Sequence, residues 1–378
     1  MISPFAMYFY AVYGPILEFF SSTPLLSWTT EFFLPHMVFL DDPFVLGLSY
    51  LQSLMVIGLA LFLSAAIPLY YGRFTKKGVV QMSFYAKIRH PQYLFLGISG
   101  FGMLLYWPRF IILVMYVTML FVYYLLARHE EWRMQREAPE AYKKYMANTS
   151  MFLPGEPGGK IYALFFGWIQ PKWFGFLVTY VITVALAVSL AMGIRAYTIN
   201  HLPVFSEGEL VFLPVFPRSK SDVQKLQKVL QESKEARVAI NELQPNLAYI
   251  FPGDFFLTAI VTDQDRRWFP DDPISKRIPE FFEWHQHKFR GGLGSFFRIF
   301  YNFFKTLNKP ETNYDIERLV FMKVTDGDQP VSSEDLFKIG LQRKPVLVID
   351  IDPYEYQIIS VIKTSGFHKW GITPMPSF

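Results

Sequence analysis

The chain of 378 residues is 52% hydrophobic and 18% aromatic, has a net charge of +4 and contains no cysteine. Only 18% of it is charged, against about 25% in an ordinary soluble domain. Disulfides, thiolate metal sites and cysteine nucleophiles are excluded, and a basic balance carried by short loops beside apolar segments argues against nucleic acid as a partner.

The apolar excess is local. Residues 1–201 hold 14 Lys/Arg and 9 Asp/Glu, whereas residues 202–378 hold 22 and 23. The expected fold is a membrane all-α helical bundle of about five transmembrane helices, including a helical hairpin, over residues 1–200, followed by a soluble α+β domain over 201–378. A hydrocarbon core about 30 Å thick needs roughly 20 apolar residues of helix. Met1–Phe20 is apolar and aromatic but holds Gly14, Pro15 and Glu18; it reads as a span, or else as an interfacial helix. Its first ten residues lack the basic n-region of a cleavable signal peptide. Val45–Tyr70 supplies 26 residues without a charge. Tyr93–Trp107, 15 residues closed by Pro108-Arg109, and Phe110–Ala127, 18 residues, read as the two arms of a hairpin. Gly97, Gly100 and Gly102 would let those arms approach closely, or would merely loosen the helix. Phe174–Ile194 supplies 21 apolar residues as the last span.

Orientation follows from Lys/Arg in short loops. Segment 71–92 carries Arg73, Lys76, Lys77, Lys87 and Arg89, and segment 128–173 carries seven more; segment 21–44 has none. The two basic loops are therefore expected on the cytoplasmic side and the C-terminal domain on the other.

Those loops hold a cluster of chemically capable residues. Lys77-Gly78-Val79-Val80 leads to Tyr85, then to Arg89-His90-Pro91-Gln92-Tyr93 at the mouth of the short arm. After the hairpin come Glu130-Glu131, then Tyr142, Tyr145 and Phe152-Leu153-Pro154. A hairpin returns its chain near its entry point, so Arg89, His90 and Tyr93 should face Glu130 and Glu131 at the membrane surface. Paired carboxylates and a histidine beside apolar sequence point to function. Taken singly, each has a plainer reading: Arg89 as a positive-inside residue, His90 as a helix cap, the glutamates as a solvated helix end, Tyr142 and Tyr145 as interfacial aromatics.

In this order the residues resemble the membrane methyltransferase family that includes isoprenylcysteine carboxyl methyltransferases and phospholipid N-methyltransferases, over roughly residues 45–154. The resemblance implies S-adenosyl-L-methionine as cofactor and a lipophilic methyl acceptor, such as a prenyl-cysteine carboxylate or a lipid amine, taken from the bilayer. It assigns His90, Tyr93, Glu130, Tyr85, Tyr142 and Tyr145 to the cofactor, and Arg89 and Glu131 to the reacting end. Three departures stand out. Ser83-Phe84 replaces the family's Gly-Pro, Ala138-Pro139 its Phe-Gly, and Phe95 its glycine, where a ring would narrow the pocket. Methyl transfer is an in-line displacement for which proximity alone can supply about 7–11 kcal/mol. A carboxylate acceptor needs no base; an amine or hydroxyl would need one, with Glu131 or His90 as the candidate. Two other readings remain: a non-catalytic scaffold on a decayed methyltransferase core, and an NADPH-dependent membrane reductase.

In the soluble half, Leu210–Val215, Arg318–Val324, Pro345–Ile351 and Gln357–Ile362 are rich in Val, Ile and Phe and read as strands. Ser221–Leu243 reads as one polar helix begun by Ser219 or Ser221, and Ser332 or Ser333 as the start of a short second one. Phe281–Phe304 is aromatic and basic, and would lie on the membrane or pack on the bundle. His285 and His287 form a weak metal signal without further ligands, so no metal is expected. No motif in this half identifies a function or a protein partner.

Overall fold

A computed structural model describes residues 19, 20, 23, 25–36, 38–75, 83–251 and 316–364. The proposed first span, Lys77 to Met82, the segment Phe281–Phe304 and its two histidines lie outside these residues, apart from Phe19 and Phe20. The chain divides into two compact units, residues 42–196 and residues 1–41 with 197–378.

The first unit is helical. Asp42 opens it by accepting a hydrogen bond from the Val45 amide (2.9 Å), with Pro43 at the first helical position, where its missing N–H costs nothing. Helix α1 (Pro43–Tyr50) runs through one turn of 3-10 helix into α2 (Leu54–Phe74). Then follow α3 (Pro91–Tyr106), α4 (Phe110–Glu137), α5 (Pro139–Asn148), α6 (Pro157–Phe165) and α7 (Lys172–Asn200). Proline begins α1, α3, α5 and α6. Among the described residues, three segments are long and apolar enough to cross a membrane: Pro43–Gly72, Phe110–Glu137 and Lys172–Ile199. Five crossings were expected. The short hairpin arm is α3, whose 16 residues reach about 24 Å at 1.5 Å per residue, less than a full hydrocarbon core. The long arm overruns its expected end at Ala127 and continues to Glu137, so both glutamates ride on a rigid helix.

The hairpin glycines divide their work. A Cβ on Gly97 or Gly100 would meet Leu120, Tyr116 and Met119 of α4 at 3.0–3.3 Å, so these two face the other arm as expected. Gly102 does not. Its Cβ would lie 2.1 Å from the Met55 nitrogen of α2, and a Cβ on Gly58 would lie 2.4 Å from the Ser99 nitrogen. Helices α2 and α3 are in backbone contact there. Ser99 Oγ donates to the Met55 carbonyl (2.8 Å) and Gln52 Nε2 to the Leu105 carbonyl (3.2 Å), which locks the pair.

The second unit is a mixed sheet. Strands β1 (Phe205–Glu207), β2 (Leu210–Pro214), β3 (Leu247–Phe251), β4 (Glu317–Asp326), β6 (Gln342–Ile351) and β7 (Ile358–Lys363) lie in that spatial order, and β5 (Gln329–Pro330) pairs with β4. Only β2 and β3 are parallel. They are joined through helices α8 (Lys220–Glu232) and α9 (Lys234–Leu243), as a parallel connection requires. The expected single helix breaks at Ser233, whose backbone is extended and whose hydroxyl accepts from the Ala236 amide to cap α9; Ser219 caps α8. The short helix expected after Ser332 is a run of turns, closed by Asp335 N to Ser332 O (3.0 Å). Strand β3 escaped the sequence reading because it is a five-residue apolar run between Pro245 and Pro252. One sheet face packs Phe212, Ile250, Leu319, Phe321, Leu347 and Ile349 against Val223, Leu226 and Leu230 of α8. Residues 25–40 join this unit: the Phe39 amide donates to Val215 O (2.8 Å), and Glu31 pairs with Arg343 (3.1 Å).

Candidate functional site

The site forms where the basic loops meet the ends of the hairpin. Residues 87–90 run beside residues 149–151 as a short parallel bridge, with the Arg89 amide donating to Ser150 O (2.8 Å), the Ser150 amide to Lys87 O (3.1 Å) and the His90 amide to Met151 O (3.1 Å). This fixes Arg89 and His90 in the turn before α3, while Pro91 stiffens the helix start. Glu130 and Glu131 arrive from the end of α4.

The expected facing of these groups is present. Arg89 Nε donates to Glu131 Oε1 at 2.6 Å, and both side chains are buried. Arg89 Nη1 donates to the Thr149 carbonyl, and its Nη2 donates to Glu156 Oε1 at 3.3 Å. Tyr93 donates its hydroxyl to Glu130 Oε1 (2.7 Å). The His90 imidazole is buried between the two carboxylates, with Nδ1 3.5 Å from Glu130 and Nε2 3.4 Å from Glu131. Neither nitrogen makes an aligned hydrogen bond. The interaction is one of charge. Burial disfavours the imidazolium, but the two carboxylates outweigh it and raise the His90 pKa above its ordinary value. The two carboxylates therefore favour the protonated imidazole, which is a poorer base than a neutral one. Glu131 is held by Arg89 and His90 together, whereas Glu130 has a 38% exposed side chain and is the carboxylate open to a ligand.

The tyrosines form a second layer. Tyr145 donates to the Tyr85 carbonyl (2.7 Å), and the Tyr85 hydroxyl donates to Gln92 Oε1 (3.1 Å). Burial pushes Tyr145 up to about 12. Burial also raises Tyr85, with Tyr145 and Glu130 adding to it, and raises Tyr142, with the charge of Glu131 adding to it. All three are neutral near pH 7, and Tyr145 and Tyr85 act as donors. They brace the loops around the charged cluster.

Phe95 does not border that cluster. It is buried with Ala65 and Tyr85, packed by Leu61, Phe62 and Ile98, and meets Phe84 edge-on at 4.9 Å between ring centres. It belongs to the packing between α2 and α3.

Three residues, Glu156, Thr149 and Tyr123, escaped the sequence reading. Glu156 takes both Arg89 and the Met151 amide (2.8 Å); its signal was a lone acidic residue among basic loops, placed before Pro157. Thr149 supplies a carbonyl, which no sequence signal marks. Tyr123 stacks on Tyr93 at 5.1 Å, about two helical turns before Glu130. Phe152 lies 5.9 Å from the His90 ring. Among the described residues no group of three or more His, Asp or Glu side chains is arranged to hold a metal ion.

Comparison with known proteins identifies no relative: no family model matches the chain, and neither a curated protein nor a solved structure is significantly similar to it.

Proposed function

We propose that the helical unit lies in a lipid bilayer and transfers a methyl group from S-adenosyl-L-methionine to a lipophilic acceptor, such as a prenyl-cysteine carboxylate or a lipid amine. The observation that carries this reading is the convergence of Arg89, His90, Tyr93, Glu130 and Glu131 at the end of an apolar hairpin, in the order of the membrane methyltransferase motif. The charge balance supports it. Three carboxylates, Glu130, Glu131 and Glu156, surround Arg89 and His90, and Arg133 also acts on Glu130. The partly exposed carboxylates of Glu130 and Glu156 attract a cation, and the faces of Tyr93, Tyr123 and Phe152 suit one. The cofactor supplies the methyl group as a sulfonium. Arg89 and His90 hold Glu131 as a fixed anchor. Glu130, oriented by Tyr93, faces the ligand and takes a proton when the acceptor is an amine or hydroxyl. That role falls to Glu130 because Glu131 is buried against Arg89 whereas Glu130 is partly exposed.

Exposed apolar side chains support the bilayer. Val56, Ile57, Leu63 and Ile67 of α2 and Leu186 and Leu190 of α7 all point outward, an arrangement that water disfavours. The basic loops are read as cytoplasmic. With α3 returning the chain across the bilayer between α2 and α4, residues 41 and 200 both fall on the opposite side, which agrees with residues 38–40 packing in the sheet unit. Reporter fusions after Pro203 and within 155–172 should report opposite sides; the same side for both defeats this topology.

Calorimetry with S-adenosylhomocysteine on the purified full-length protein tests the activity class. The protein should bind, and His90→Ala or Glu130→Gln with Glu131→Gln should weaken binding at least tenfold, since a lost charged hydrogen bond costs about 1.5–3 kcal/mol. No binding by the unaltered chain defeats the methyltransferase reading and leaves the scaffold.

A further inference from the structure

The charged cluster is tied through one residue to a helix that should not be stable on a water-facing surface. Helix α6 and the elbow after it are held against the start of α7 by few groups. A Cβ on Gly175 would meet Tyr162 Oη at 2.9 Å, Ile169 at 3.4 Å and the Phe166 carbonyl at 3.5 Å. The rest points outward: Ile161, Leu164, Phe165 and Trp168 are between 56% and 77% exposed. Lys160 and Lys172 flank them, and Trp173 at the head of α7 is exposed as well. Aromatic, aliphatic and lysine side chains in this mixture are what a headgroup layer takes up. The surface also runs without a break into α7, which is long and apolar enough to cross a membrane and is itself largely exposed.

The N-cap residue of α6 is Glu156, in the left-handed conformation (φ 48°). Its carbonyl accepts from the Gly159 and Lys160 amides in the first turn (3.1 and 3.3 Å). Its carboxylate takes the Met151 amide and Arg89. Glu156 thus joins the first turn of α6 to the Arg89 guanidinium, which Glu131 and Thr149 also hold.

We propose that α6 and the elbow through Trp173 are seated in the headgroup layer of the bilayer, and that Glu156 transmits this seating to the loop 149–151 and so to Arg89. The inference rests on the bilayer placement of the helical unit and does not depend on the identity of the cofactor. A site assembled only when α6 is seated would be complete only at a membrane, where a lipophilic acceptor is found.

Because the chain has no cysteine, single labels are clean. Leu164→Cys and Leu186→Cys, each carrying a fluorophore, are placed in phosphatidylcholine–phosphatidylglycerol nanodiscs with nitroxide lipids, in the full-length protein. Leu186 should be quenched most by a deep nitroxide and Leu164 most by a shallow one. Absence of quenching at Leu186 defeats the bilayer placement itself; quenching at Leu186 without quenching at Leu164 defeats the seating of α6 alone, whether water or protein covers it. Transmission is read by amide exchange. Leu164→Asp with Phe165→Asp, both exposed positions, should speed exchange at Met151 roughly tenfold through local opening. Glu156→Ala should do the same while leaving the Leu164 quenching intact. Unchanged exchange at Met151 in the double variant overturns the coupling.

Discussion

Each unit buries an arginine against a carboxylate, and the two burials differ in how they are finished. In the sheet unit, Arg318 and Asp350 sit opposite one another on β4 and β6. Two hydrogen bonds join them, Nε to Oδ1 at 2.7 Å and Nη2 to Oδ2 at 2.9 Å, and Ser360 from the next strand donates to Oδ2 at 2.8 Å. Both charged side chains are almost wholly buried. In the helical unit the Arg89–Glu131 bond is as short, but it sits in an unfinished set: His90 is buried without an aligned hydrogen bond, and Glu130 and Glu156 are partly exposed. A buried charge pair costs much desolvation and is retained where its partners satisfy it. The closed set is a structural clasp in the middle of a sheet. The open set still has capacity for a ligand, which is why it is the one read as a site.

The largest effect that would sharpen this contrast is in the clasp. Asp350→Ala should strand the Arg318 guanidinium and cost about 3–5 kcal/mol, the usual penalty for removing one partner of a buried pair. Urea unfolding of the full-length protein, followed by exchange protection of β4 and β6, would show the loss, while affinity for S-adenosylhomocysteine should stay as it was. A clasp variant with undiminished stability would mean that Arg318 is solvated some other way and that the comparison fails.

A smaller effect is expected at the helix contact that supports the open set. Gly102→Ala puts a methyl group where the α2 backbone already lies, and forcing volume into a packed contact costs roughly 1–3 kcal/mol. Gly47→Ala, with open space around it, is the control and should be neutral or slightly stabilising, since alanine is the better helix former. Thermal stability in nanodiscs would separate them. Equal behaviour of the two variants would show that α2 and α3 can part without loss.

Much of the site was legible in the sequence, and for a reason that does not extend to the rest. Arg89, His90 and Tyr93 lie at one end of a hairpin and Glu130 and Glu131 at the other, and two apolar arms of similar length leave the chain little freedom in where it returns. Glu156 was harder to see because its role depends on a left-handed residue at a helix start, which spacing alone does not reveal. The direction faced by Gly102 depends on a third helix, and helix–helix choice is not written in either arm. In the sheet unit, strands of ten residues such as β4 and β6 announced themselves, whereas β1 and β3, three and five residues long, are recognisable only from their partners. The break at Ser233 turns on a serine hydroxyl taking a backbone amide in preference to continuing the helix.

The smallest expected effect concerns protons in the open set. Glu130 and Glu131 favour the imidazolium of His90 against its burial, so its pKa in the folded protein is raised over that of the unfolded chain. The sign follows directly: the stabilisation is fully present below the unfolded value, about 6.5, and is lost as pH rises through the raised value. The cluster should therefore be tightest in mildly acidic solution and should slacken on the alkaline side, where a neutral imidazole leaves two adjacent carboxylates with Arg89 as their remaining cation in the cluster. The effect is modest because Arg89 keeps Glu131 paired throughout. Melting of the full-length protein in nanodiscs between about pH 6 and about pH 9 measures it, with His90→Gln as the reference. The unaltered protein should lose stability with rising pH more steeply than His90→Gln, which has no imidazole to titrate at this position. The clasp variant Asp350→Ala should retain the slope of the unaltered protein, because it leaves His90 in place. Parallel slopes for the unaltered protein and His90→Gln would show that His90 is not a cation between the glutamates, and would return it to the role of a neutral base.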